Sequence, residues 1–245
     1  MDDARAARAR SFGGAAAAYT AGRPTYPAEA IEWLLEGVQR VVDVGAGTGK
    51  LTAGLVAAGR EVVAAVDPDA AMLAALEREV PGVPVLVGTA ESVPLPDASV
   101  DAAVLGQAWH WVDPDAASAE LGRVVRPGGT LGLVWNIRDD REPWVRELTA
   151  VMHGSDAERM IGEGAVRVAG PFGALEEREF TWSAARTPDE LVAMAASRSY
   201  LIALPDAERE RVLEDIRSLL ARHPATAGRD RIELPYVTHA FRARR

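Results

Sequence analysis

The sequence predicts an α/β fold built on a mostly parallel sheet, and three observations carry that prediction. Short valine-rich runs alternate with helix-patterned stretches over the first 135 residues, the signature of repeated βαβ units. The stretch Val41–Lys50, VVDVGAGTGK, passes from a β-branched run into Gly45, Gly47 and Gly49, so a strand turns tightly into a helix there. At 245 residues the chain is long enough to bury the core of one large domain.

Taken in order, the apolar runs place strands near Arg40–Val44, Glu61–Val66, Val83–Val87, Val100–Gly106 and Thr130–Trp135. Helices near Gly49–Ala58, Asp69–Val80 and Asp115–Val125 fit between them, and Pro127-Gly128-Gly129 supplies the turn into the fifth strand. After Asn136 the pattern changes. Glu142–Met152 reads as a helix, and His153–Gly173 is glycine-rich with weak periodicity, which suits a lid or substrate-facing insertion. A strand near Glu176–Trp182, helices near Thr187–Tyr200 and Asp206–Arg222, and a last strand near Tyr236–Arg242 complete the order. The Glu176–Glu179 run reads as a solvated face, and Trp33 and Trp182 sit at core spacing.

Composition excludes several classes of partner. Zero cysteines remove disulfides, thiolate metal sites and thiol nucleophiles, and four widely spaced histidines show no ligand pattern, so no metal is expected. A net charge of −9 opposes the phosphate contacts that drive nucleic-acid binding, which leaves a small molecule as the expected partner. No apolar run approaches the roughly 20 residues that span a bilayer, and the opening MDDARAARARSFGG lacks the apolar core of a secretion signal. A cytoplasmic protein is expected.

Spacing decides what the glycine turn can hold. A P-loop requires glycine where Val44 stands and a hydroxyl where Leu51 stands, so that reading fails twice. The dinucleotide fingerprint requires a third glycine where Lys50 stands, although Asp67 lies where a ribose-binding acid would. Nicotinamide binding is weakened rather than excluded. What remains is Asp43-Val44-Gly45-Ala46-Gly47-Thr48-Gly49, an acid at the strand end before G-x-G-x-G. S-adenosylmethionine carries an ammonium and a sulfonium and no pyrophosphate, so the Asp43 carboxylate favours it and repels a dinucleotide phosphate. The helix start near Gly49 favours that ligand's carboxylate. At the second strand end, Asp67 can accept from two ribose hydroxyls, while Asp69 caps the next helix.

Asp43–Gly49, Asp67, Gly88-Thr89-Ala90-Glu91 and Arg126-Pro127-Gly128-Gly129 resemble, in this order, the motifs of class I S-adenosylmethionine-dependent methyltransferases. The small-molecule, trans-aconitate methyltransferase-like group is the most similar. The likeness spans most of Phe12–Asn136 and, more weakly, the C-terminal strand. It implies a Rossmann-like, seven-stranded, mostly parallel sheet with helices on both faces and an antiparallel last strand. It also implies that Thr89, Ala90 and Met72 border the adenine, with Thr89 standing where relatives carry an acid. Gln107 and Ala108, after the fourth strand, are implied cofactor contacts, and so are Pro68 and Glu91 within their motifs. The segment Tyr19–Pro27 resembles one that folds over the cofactor, with Tyr19 and Arg23 as contacts to the methionine end; Tyr26-Pro27 also reads as a plain helix start.

The strongest catalytic candidate is Gly106–Asp113, GQAWHWVD. His110 can accept a proton near neutral pH or position the substrate, and Trp111 can wall the site or face the sulfonium. Trp109 reads as core. Methyl transfer is an in-line displacement that proximity and desolvation can drive without a base. Trp135 and Trp144 are candidate substrate contacts, and Met152 and Met160 of the insertion share that alternative with plain packing.

The expectation is therefore one domain over residues 1–245: a cofactor-covering segment (1–38), a cofactor-binding core (39–136), a substrate-facing insertion (137–175) and C-terminal strands and helices (176–245). It transfers methyl from S-adenosylmethionine, leaving S-adenosylhomocysteine, to an O, N or C nucleophile of a small molecule. The alternatives are a protein or cyclase-like enzyme that holds S-adenosylmethionine without transferring methyl, and an NAD(P)-dependent oxidoreductase.

Overall fold

In the computed structural model, which describes residues 24–202 and 204–245, the strands are β1 (Arg40–Val44), β2 (Glu61–Asp67), β3 (Val85–Val87), β4 (Val100–Gly106), β5 (Val125–Arg138), β6 (Glu176–Arg186) and β7 (Ile232–Arg244). They form one sheet in the order β3-β2-β1-β4-β5-β7-β6. The first five are mutually parallel, and β7 runs antiparallel to both β5 and β6. The sequence order reverses between β1 and β4, so a crevice opens at the C-terminal ends of these strands.

The pleat sorts the core. Val41, Ala102, Val104, Val134 and Ala240 share one cluster with α1 (Ala28–Leu34) and α2 (Lys50–Ala57). Their neighbours Val42, Val44, Ala103, Leu105, Leu133 and Trp135 share the other with α4 (Pro114–Val124). Alternate residues thus face opposite helical layers, as period-2 strands buried on both faces require. Asp43 falls on the Val41 side, toward α2. The third helix of the parallel half, α3 (Ala70–Glu79), begins at Asp69, whose carboxylate accepts from the backbone N–H groups of Ala71 and Met72.

A further apolar cluster joins α5 (Pro143–Val151), α7 (Pro188–Ala196) and α9 (Asp206–Arg222) to the start of β7, through Trp144, Leu148, Leu191, Met194, Ile216 and Tyr236. Between α7 and α9 lies the short α8 (Ser199–Ile202). Residues 137–175 therefore divide between two layers. α5 and Met152 belong to this helical layer, whereas α6 (Asp156–Gly162) packs its Ala157 and Met160 on the main core.

Several strand boundaries differ from the sequence reading, and β6 runs on to Arg186 rather than ending at Trp182. β3 starts at Val85 because Pro84 offers a carbonyl to Ala65 N–H, 2.8 Å away, but has no N–H to continue the ladder. β5 extends in both directions: Val125 already pairs with Val100, a bulge absorbs residues 126–129, and pairing with β7 runs on to Arg138. β7 is also longer than its apolar run, because its arginines are held by cross-strand and helix partners. The Arg242 guanidinium lies 4.4 Å from the Trp33 ring and bonds Glu176, and Arg244 donates to Thr130 Oγ1 at 2.7 Å. Trp33 is only half-buried under that cation, and Trp182, also half-buried, stacks on Tyr236 with ring centres 4.9 Å apart. Glu176–Glu179 is exposed as expected.

Among the described residues no helix is long and apolar enough to cross a membrane.

Candidate active site

The β1–α2 turn is pinned before any ligand arrives. Gly45 and Ala46 N–H both donate to the Val66 carbonyl of β2, at 2.8 and 3.1 Å. Gly45 has φ +70°, and a Cβ there would lie 2.6 Å from Ala108 Cβ, so β1 and the segment after β4 approach too closely for a side chain. Gly47, at φ +54°, differs: a Cβ there would meet open space, so the gap in front of the turn is room for a ligand. Gly49 precedes α2 at φ +87°, packed on Leu76.

Two buried acids flank this turn. Asp67, 8% exposed, accepts from Gly47 N–H through Oδ2 and from Asp69 N–H through Oδ1, both at 2.9 Å. It ties the β2 end to the glycine turn, a role the sequence did not reveal, and each oxygen keeps a further lone pair. Burial raises its pKa against the two backbone donors. Asp43 is fully buried. Its Oδ2 accepts from Thr52 Oγ1 at 2.6 Å, and its Oδ1 has no hydrogen-bond partner. Desolvation pushes its pKa up to about 7, Thr52 opposing this and the nearby Asp67 charge adding to it. Thr48 Oγ1 is likewise buried without a partner.

Across the turn, Gln107 leaves β4 with φ +56°, a left-handed conformation that a non-glycine residue holds at a cost. Its N–H bonds the Val134 carbonyl (2.8 Å) and its Nε2 the Asn136 carbonyl (2.9 Å). A single 3₁₀ turn, Trp109–Trp111, follows. Trp109 is buried, donating from Nε1 to the Arg167 carbonyl at 3.0 Å. His110 Nδ1 accepts from Trp135 Nε1 at 3.3 Å, and its ring centre lies 4.8 Å from that of Trp111.

An open cleft lies between these segments. Gly45, Ala46, Gly47, Thr48 and Gln107 line it, together with Pro24 and Tyr26 of the Tyr19–Pro27 segment, Gly106 at the head of the Gly106–Asp113 segment, and Lys50, Leu51 and Asn136, which sequence reasoning had not assigned to the site. Asn136 organises one wall: Nδ2 donates to the Thr25 carbonyl at 3.0 Å, and Oδ1 accepts from Thr238 Oγ1 at 2.7 Å. A polar residue interrupting the apolar end of β5 was its sequence signal. Gly106 has no room for a Cβ, which would stand 2.6 Å from the Tyr26 hydroxyl oxygen.

The other predicted residues are placed as follows. Pro68 and Thr89 are half-buried, Met72 and Ala90 are buried, and Gly88 N–H bonds the Asp67 carbonyl at 3.2 Å, so the β2 and β3 ends adjoin. Glu91 turns to α4, accepting from Asp113 N–H at 2.9 Å. Trp135 lies inside β5 rather than at its end and is fully buried, edge-on to Phe241, so it touches His110 rather than open space. Trp144, 4% exposed, belongs to the α5–α7–α9 layer and is not among the cleft residues. Tyr19 and Arg23 lie outside the described residues. Next to the site, Arg138 at the end of β5 is buried, pairing with Glu158 at 2.8 Å and Thr149 at 3.3 Å. On the β6–β7 face, pairing brings Glu177, Glu179 and His239 within 4.8 Å of one another, a proximity that spacing along the chain conceals; both carboxylates are exposed.

This donor set suits S-adenosylmethionine on three counts. Asp43 Oδ1 and Thr48 Oγ1 are buried polar atoms awaiting partners, Gly47 leaves the space before the turn clear, and Asp67 presents acceptors beside it.

The sheet order, the acid-flanked glycine turn and the second acid at the β2 end define a class I, S-adenosylmethionine-dependent methyltransferase. Comparison with known proteins agrees. A family model described as "Methyltransferase domain" matches residues 42–133. An uncharacterized methyltransferase of Mycobacterium tuberculosis strain H37Rv is 50% identical over 234 residues, 95% of either chain. An uncharacterized methyltransferase-like protein of Schizosaccharomyces pombe is 34% identical over 232 residues, 91% of either chain. A solved structure assigned as a type II methyltransferase of Anaeromyxobacter dehalogenans is similar at a TM-score of 0.64 and 28% identity, covering 91% of this chain and 97% of that one. The chain belongs to this methyltransferase family.

Proposed function

We propose that the chain binds S-adenosylmethionine in the β1–β2–β4 cleft and transfers its methyl group to an O, N or C nucleophile of a small molecule in the cytosol. The observation that carries this reading is the coupling of Asp67 to Gly47 N–H at 2.9 Å, which joins the acid at the β2 end to the turn as one cradle.

When bound, the cofactor supplies a methyl group already activated by a sulfonium. The work of the chain is then to bind, orient and exclude water. The start of α2 receives the methionine carboxylate. Asp43, ionised by a facing ammonium, and the Thr48 hydroxyl satisfy its polar end. Asp67 accepts from the ribose hydroxyls, and Met72, Thr89 and Ala90 border the adenine. Gln107 and Ala108 hold the face of the cofactor nearest the acceptor, fixed by the strained Gln107 backbone and its bond to Asn136. Trp111 and His110 line the acceptor side, with Trp135 behind His110. A held nucleophile in a dry site supplies most of the rate in such a displacement. The net charge of −9 keeps nucleic acid out of the proposal.

Calorimetric titration with S-adenosylmethionine, S-adenosylhomocysteine and NADH tests it. Binding of the first two without NADH supports the reading; NADH binding alone overturns it.

A further inference from the structure

Lys50 is the single lysine of the chain, and of the described residues that line the cleft it alone is charged. It is the first residue of α2, where the N-cap Gly49 has no side chain and the first turn holds no acid. A cation there faces the positive end of the helix dipole, which disfavours it unless an anion stands close by. The ion pairs among the described residues supply no such anion, since none of them involves Lys50. The first-turn N–H groups of α2 have no partner inside the helix and add donors of the same sign. A second observation at the same turn points to a ligand. Thr48, on the cleft wall two residues earlier, is 3% exposed and its Oγ1 is buried without a partner. At the β1 side of the turn Asp43 likewise keeps Oδ1 unpartnered. The turn therefore carries an acid before its glycines and a cation after them, an order of charge that a zwitterionic amino-acid group complements.

We propose that Lys50 is the counter-ion of the methionine carboxylate of S-adenosylmethionine, with Thr48 Oγ1 donating to the same group, and that this pair makes the cleft selective for cofactors that carry the carboxylate. The inference rests on the S-adenosylmethionine reading and assigns one end of that ligand to one side chain. Lysine suits the task as a compact charge on a flexible stem, rooted here in a half-buried position. A carboxylate on the acceptor would have the same chemistry, and a series of cofactor forms separates the two sources.

Calorimetry of the wild type and Lys50→Gln with S-adenosylmethionine and with its decarboxylated form, which keeps the adenosine, sulfonium and amine, closes a thermodynamic cycle. The wild type should bind S-adenosylmethionine about tenfold more tightly than the decarboxylated form, the worth of a charge-assisted hydrogen bond. In Lys50→Gln that preference should vanish: affinity for S-adenosylmethionine falls about tenfold, while affinity for the decarboxylated form stays within about twofold. Lys50→Arg, which keeps the charge, should restore most of the preference, and added salt should erode it in the wild type alone. The single lysine gives an independent readout, because protein labelled at lysine Cε shows one resonance, which should move on adding S-adenosylmethionine and much less on adding the decarboxylated form. Equal losses for both ligands in Lys50→Gln would overturn the proposal, since Lys50 would then act on the fold or the adenosine. A preference that survives in the variant would also overturn it, leaving Lys50 to an anion of the acceptor. Wild type that binds neither ligand overturns the S-adenosylmethionine reading and the proposal together, whereas binding without the preference overturns the proposal alone.

Discussion

Replacing Asp43 with Asn should change how stability depends on pH, in a direction its burial dictates. The carboxyl is fully buried, accepts one hydrogen bond, from Thr52, and leaves Oδ1 without a partner, so desolvation outweighs the hydroxyl and raises its pKa from 3.8 to about 7. Between those values the folded protein holds a proton that the unfolded chain releases. The contribution of this group is therefore complete below pH 3.8, falls as pH rises toward 7, and is flat above. At ~1.4 kcal/mol per tenfold the full loss is about 4 kcal/mol, an upper figure for a buried acid. The amide of the variant does not titrate. Its oxygen can still accept from Thr52, but its NH2 is buried with no acceptor, a constant cost of roughly 1–3 kcal/mol. Urea unfolding of both proteins from about pH 4.5 to about pH 8.5 separates the two effects. The variant should be the less stable at the acid end and gain on the wild type by about 3 kcal/mol by about pH 8. The cofactor then reverses the preference, because a facing ammonium favours the ionised acid. Wild-type affinity for S-adenosylmethionine should climb by up to about tenfold per pH unit below about 7, while the variant binds weakly and without that climb. A stability difference that stays constant across this range would refute the argument, since it would mean that Asp43 is ionised throughout.

Two further perturbations test other parts of the site. Asp67→Ala removes the acceptor for Gly47 and Asp69 N–H as well as for the ribose, so S-adenosylmethionine affinity should fall at least about fivefold, about 1 kcal/mol; unchanged calorimetry would sink the ribose assignment. Arg138→Met strands Glu158, 15% exposed, without its closest cation and should lower unfolding free energy by roughly 3–5 kcal/mol, with Glu158→Gln in the same chain restoring part of it. The Glu158 pKa lies below 4.5 despite burial, held there chiefly by Arg138. Its stabilisation is present above pH 4.5 and is lost as acid protonates it, so the wild type should lose more stability than Arg138→Met in acid. Equal acid sensitivity would show that the pair is not coupled.

What could be read from the sequence and what could not divide along one physical line. Signals confined to a few neighbouring residues were legible. The run into Gly45-Ala46-Gly47 located the β1–α2 turn, Asp69 showed itself as a cap, and β1, β4 and α9 begin and end where their apolar periods do. The antiparallel last strand came only through resemblance, because nothing in its own residues specifies direction. Signals that need distant residues to meet were not legible. The polar ends of β5 and β7 read as loop until Arg138 pairs with Tyr236 and Arg244 finds Thr130. Asn136 reads as a strand terminator, yet it binds Thr25, 111 residues away, and Thr238, 102 away. The same limit bears on chemistry. A histidine between two tryptophans after the fourth strand can accept a proton or position a substrate, since its residue type allows both roles. The fold adds what the run conceals, the Trp135 indole donating to His110 Nδ1 at 3.3 Å. The identity of a site residue is thus local information, while its hydrogen-bond partners belong to whatever the fold packs against it, and His110 is where the two separate in this protein.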